Sequence, residues 1–258
     1  MTGAAASDRA AVGDGLDLSL RHPGEVVRLM RVLQEEVRRA IALGSVAPLM
    51  EYLYANMAKA ATRTLPSPLA CRPGCSHCCN GFVAATTVEV LHVVASLPPD
   101  GRDHARNAIG AAAAATRDAT PEQRLAMVTP CVFLADDRCS VYEARPIVCR
   151  TAVSLDAGAC SRVHRDLSGE AIPKPVAWVT MRRAYHVALA GALKQAGLSY
   201  RAYEYNAALA ALIAAPDATA RWLAGEDVCA GLPEDAGSDP FDDPVIRGVY
   251  GAAFGVEP

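Results

Sequence analysis

Nine cysteines are the residues of this 258-residue chain whose spacing could do chemistry. Cys71, Cys75, Cys78 and Cys79 form a Cys-x3-Cys-x2-Cys-Cys run. A CxxC step lets two sulfurs face one metal ion, because the two intervening residues can make a tight turn. Cys131, Cys139, Cys149 and Cys160 occupy a second segment with turn-forming Asp-Asp and Arg-Pro steps. Two such groups point to metal. Buried thiols serving as small hydrophobes would fall on helix stripes, whereas these fall in irregular sequence. Disulfides are disfavoured because the chain shows no export signal and a direct Cys78–Cys79 bridge would strain the ring it closes. Adjacent side chains diverge by about 100° in a helix, so Cys78 and Cys79 suit different irons of one cluster, or two ions, better than one tetrahedral zinc. Cys229 lies outside both segments and reads as a thiol dispensable for metal. His77, inside the first run, is a further candidate ligand.

The elements around these segments read as helical. Val26, Leu29, Met30, Leu33, Val37, Ala40 and Ile41 recur at helical spacing from Glu25 to Leu43, and Gly44 ends the pattern. Ser45 caps a second helix carrying Leu49, Leu53, Met57 and Ala60. Residues 65–85 are rich in Pro, Gly and Cys and favour irregular backbone. Thr86 and Glu89 then form a capping box for a helix that Pro98 stops, so the first cysteine run feeds a helix N-terminus, where the dipole favours thiolate. Further helices are expected at about 102–117, after Thr120 (with Gln123 completing its box), at 177–196, at 202–214, and after Asp217 as far as Gly225.

Composition bounds the rest. A hydrophobic content of 52% and a charged content of 21% describe a folded chain. A net charge of -3 and a pI near 6.1 give no field for phosphate backbones, so nucleic acid is not an expected partner. The longest apolar run, 207–215, is too short to span a membrane, and the first residues lack a secretory signal, so a cytoplasmic location is expected. No GxSxG, GxGxxG, phosphate-binding glycine loop or HExxH is present.

The first run resembles the signature of the YkgJ-type CxxCxxCC family of zinc- or iron-chelating domains. CVFLADDRCSVYEARPIVCR resembles that family's companion motif, with its Phe-Leu pair, Cys-Ser, Tyr-Glu and Arg-Pro-x-x-Cys-Arg in order. The leading spacing here is CxxxC, where the family has CxxC. The resemblance implies Cys71, Cys75, Cys78, Cys79, Cys131, Cys139 and Cys149 as ligands, with Cys160 added from its place in the second segment. Arg145 and Arg150 match the family's paired arginines and would offset the charge of a thiolate-bound Zn2+ or iron-sulfur cluster, a [4Fe-4S] core being the first choice.

The expected protein is mainly α, a helical domain with two irregular cysteine-rich loops converging on a metal centre. Residues 1–22 read as a flexible arm, 23–228 as the metal-binding domain with a cysteine core at 65–160, and 229–258 as a loosely packed C-terminal tail. The expected function is metal handling, redox or structural. The alternative is an iron-sulfur-dependent enzyme resembling flagellin lysine N-methylase, acting in methyl transfer.

Overall fold

The computed structural model describes residues 23–64, 68–127, 129–235 and 239–256; the expected arm at 1–22 lies outside them. Helices dominate, as expected, and they pack in two groups. In the first, α1 (Pro23–Leu43) turns at Gly44 into α2 (Ala47–Thr64), and the Ser45 hydroxyl accepts the Ala47 N–H at 3.3 Å. Val26, Met30, Leu33, Val37 and Ala40 form the buried stripe of α1, matching the helical period of the sequence. The long α8 (Val176–Gln195) lies across α1 and α2. Gly191 permits that crossing, because a Cβ there would stand 2.6 Å from the Met30 sulfur.

The second group contains α3 (Thr87–Ser96), α4 (Arg102–Thr116) and α9 (Tyr205–Ala214); the short α5 (Pro121–Ala126) follows α4 in the chain and α10 (Ala218–Leu223) follows α9. Here α9 packs against both α3 and α4. A small antiparallel pair precedes two of these helices: β1 (Ala84–Thr86) runs beside β4 (Ala202–Glu204), with Ala85 opposite Tyr203. The helix expected from Ala202 therefore begins at Tyr205, where the Glu204 carboxylate accepts the Ala207 N–H at 2.7 Å. A second pair, β2 (Leu134–Ala135) and β3 (Arg138–Cys139), sits between the groups in sequence, followed by α6 (Ile147–Arg150) and α7 (Ala157–Arg165).

Two expectations need correction. The second cysteine segment is not loop throughout: Asp156 caps α7 by accepting the N–H groups of Gly158 and Ala159, and Cys160 lies on that helix. Nor do the described residues after Cys229 form a loosely packed tail. Asp243 caps α11 (Pro244–Phe254), which buries Ile246, Val249 and Ala253 and packs along α1. Arg31 fixes its far end by donating to the carbonyls of Ala253 and Ala252 at 2.7 and 2.9 Å. Among the described residues, no helix is long and apolar enough to cross a membrane.

Candidate metal centre

Each cysteine loop is shaped by local turns. In the first, Gly74 adopts a φ of +84°, a conformation open to glycine, and the Cys75 N–H returns to the Arg72 carbonyl at 3.0 Å. A 3-10 turn over His77–Asn80 follows, placing Cys78 and Cys79 side by side. In the second loop, Asp136 and Asp137 take φ values of 50° and 57°, the left-handed pair that a two-residue hairpin requires and that Asp tolerates. This turn sets Cys139 opposite Leu134. Cys149 comes from α6, whose first N–H, that of Ile147, donates to the buried Glu89 carboxylate at 2.7 Å. The other Glu89 oxygen accepts from the Thr86 N–H and hydroxyl at 2.8 and 2.7 Å, so one side chain fastens α3 to the helix that carries Cys149.

Hydrogen bonds join the two loops. The Cys131 N–H donates to the Cys79 carbonyl at 2.8 Å, and the Ser76 hydroxyl donates to Asp137 at 2.6 Å. The Ala70 N–H reaches the Ser154 carbonyl at 2.9 Å. As a result Cys71, Cys75, Cys78, Cys79, Cys131, Cys139 and Cys149 all line one cavity of about 900 Å³, walled elsewhere by α2 and the start of α8. Among the described residues, no three His, Cys, Asp or Glu side chains gather closely enough to hold a metal ion as they stand. The sulfurs are spread around the cavity wall.

Cys71, Cys78, Cys131 and Cys149 are pushed towards their protonated forms. The Cys78 thiol is pushed up because it shares its hydrogen with Cys79, and then because it is desolvated; the same bond lowers Cys79. Burial is the main cause that raises Cys149, Cys131 and Cys71. Arg145 acts against this at Cys78 and Cys149, and Arg124 does so at Cys131.

The two arginines of the motif are used differently. Arg145 lies over the Tyr142 ring, 3.7 Å from its centre, within electrostatic reach of Cys78 and Cys149. Arg150 also lines the cavity, but its guanidinium stacks on Tyr54 at 3.7 Å and donates to the Arg145 carbonyl at 2.8 Å and to the Glu143 carbonyl. It docks the loop onto α2.

Cys160 does not line the cavity. It is buried on α7, which packs on the 77–80 turn, and it lies within electrostatic reach of Cys71. Cys229 is buried in the main core beside Thr87, and burial raises its pKa to about 11. His77 stands outside the cavity lining, with His164 nearby. Sequence reasoning missed Arg124, Glu204 and Tyr205 on the cavity wall, because they come from α5 and the β4–α9 junction, remote from the cysteine motifs.

A helical frame thus presents seven cysteines to one cavity, the arrangement of a cysteine-rich module. Residues 70–166 match the model of the CxxCxxCC family, described as "Putative zinc- or iron-chelating domain", the family that the motifs resemble. The matched span contains both loops and every cysteine except Cys229. No curated protein and no solved structure matches the chain.

Proposed function

We propose that the seven cysteines of the cavity, Cys71, Cys75, Cys78, Cys79, Cys131, Cys139 and Cys149, hold a polynuclear iron-sulfur centre, and that the domain serves metal handling, redox or structural stabilisation. The supporting observation is their placement on one cavity by two loops bonded to each other at Cys131 and Cys79. Soft thiolates select zinc and iron-sulfur clusters among common metals, so the donor chemistry fits. Seven thiols exceed the four that one zinc takes. The spread of the sulfurs accords with a site that is completed when metal binds, because metal binding and the folding of its ligand loops are coupled. Arg145 would offset the excess negative charge of the thiolates. Cys160, off the cavity, is left out of this ligand set.

The cavity's volume falls in the range of small-molecule sites, which favours a second reading: an enzyme using the centre on a substrate bound beside it, as in methyl transfer. Analysis of protein purified without air tests the cluster. Iron and sulfide in equal amounts with a brown colour are expected. Colourless, iron-free protein loaded with zinc would overturn the cluster reading and the second reading with it.

A further inference from the structure

Two buried donors on the cavity wall lack acceptors. Arg124 on α5 is 4% exposed; its Nη2 donates to the Thr129 carbonyl at 3.2 Å, but its Nη1 is buried without a partner. Glu204, within electrostatic reach of Arg124, already accepts from the Ala207 N–H at 2.7 Å and the Thr116 hydroxyl at 3.5 Å. Tyr205, the first residue of α9, is also 4% exposed. Its N–H is held by the Val83 carbonyl at 3.0 Å and its ring sits edge-on to Phe133, while its hydroxyl is buried without a partner. Both residues line the cavity, Tyr205 within electrostatic reach of Cys131, Cys139 and Cys149, and Arg124 within reach of Cys131.

Buried donors are normally paired, and leaving one unpaired carries a penalty. Neutral thiols are weak acceptors, whereas metal-bound thiolates carry charge and accept strongly. We infer that Tyr205 and Arg124 are positioning residues that hydrogen-bond the second-loop thiolates once metal is bound, so that metal loading satisfies donors the metal-free fold leaves unpaired. This inference rests on the proposed cysteine site and adds the groups that support it from behind.

The two states of the protein separate this role from a general structural one. Removing an unpaired hydroxyl should leave the metal-free protein as stable as before or more so, yet weaken the loaded form. In chelator competition with zinc on the reduced full chain, Tyr205→Phe should bind the same number of ions about tenfold more weakly, the lower end of the usual effect of residues supporting metal ligands. The thermal midpoint of its metal-free form should not fall. Tyr250→Phe, which removes a hydroxyl bonded to Gln195 at 2.8 Å away from the cavity, should leave zinc affinity unchanged. Arg124→Lys keeps the charge, loses the fork and should also weaken zinc; it decides the matter if Tyr205→Phe fails to fold. Wild-type affinity in Tyr205→Phe, or an affinity loss accompanied by an equal loss of metal-free stability, overturns the inference. Wild-type protein that takes up neither zinc nor ferrous iron overturns the site itself, and the inference with it.

Discussion

The helical frame and the cysteine loops are held by different forces. In the frame, Met30, Leu33, Leu49, Leu53, Leu189 and Leu193 are fully buried. Each contributes about 1.5–3 kcal/mol through burial. In the loops, few apolar residues reach the core, chiefly Phe133, Val141, Ala144 and Ile147, and the cavity cysteines remain half-buried or exposed. What shapes the loops is a handful of hydrogen bonds between Cys131 and Cys79, Ser76 and Asp137, Ala70 and Ser154, and Ile147 and Glu89. Each is worth only about 0.5–1.5 kcal/mol net, somewhat more to a charged group. The lesson is a division of labour: apolar burial builds the wall and hydrogen bonds shape the loops, which under the proposed function would depend on what the cavity holds.

Metal removal should expose this difference most strongly. Structural zinc contributes roughly 10–16 kcal/mol in small peptides, comparable with the roughly 5–15 kcal/mol of a whole domain. Amide exchange should speed up across residues 68–83 and 129–160 on chelation while α1, α8 and α11 keep their protection. Equal loss in both regions would erase the distinction between frame and loops.

Glu89→Gln probes the join between them. The carboxylate accepts three hydrogen bonds, and an amide group cannot accept them all. A loss of about 1.5–3 kcal/mol is expected, from the weakening of charge-assisted bonds. Exchange should rise first at Ile147 and around Cys149, while the amides of α1 stay protected; unchanged exchange at Ile147 would sever the proposed link.

How much of this division could be read from the sequence depends on range. Helices with strong local signals were legible: the Thr86 and Glu89 box and the Thr120 and Gln123 box stand where their spacing puts them, as does the stripe of α1 except for Ile41, which the structure leaves exposed. The β1–β4 pair was not, because three-residue strands carry no usable period and pair across more than a hundred residues. The helices α7 and α11 did have signals, Asp156 in one case and Asp243 followed by Pro244 in the other. Both signals sit among Pro, Gly or Asp residues, which locally favour turns. At the candidate site, the cysteines announced themselves by spacing. Arg124, Glu204 and Tyr205 did not, because only tertiary packing brings them to the cavity.

Acid should act on the frame through His186. Its Nε2 is buried without a partner, and burial lowers its pKa to about 4, with Arg182 adding to the effect and Glu89 opposing it. A histidine whose folded pKa is depressed binds fewer protons when folded, so its stabilising effect is present above about 6.5 and is lost as pH falls towards 4. The loss should be about 1–3 kcal/mol. Denaturant titrations should show it in wild type and a flatter profile in His186→Leu. Identical profiles would remove His186 from the account.

The smallest effect is expected from Cys229→Ser. A hydroxyl replaces a thiol in the frame core beside Thr87, so stability should fall by about 1 kcal/mol with no change in bound metal. Cys75→Ser should do the reverse, losing metal with little change in α1 or α8. Equal metal loss from both variants would show that the site has been drawn in the wrong region.

The most direct test of the central claim is the X-ray absorption spectrum of anaerobically purified protein at the edge of its bound metal. The account predicts a shell of sulfur neighbours that loses intensity in both Cys79→Ser and Cys149→Ser, one variant from each loop. A shell of nitrogen and oxygen alone, or one that neither substitution changes, would contradict it.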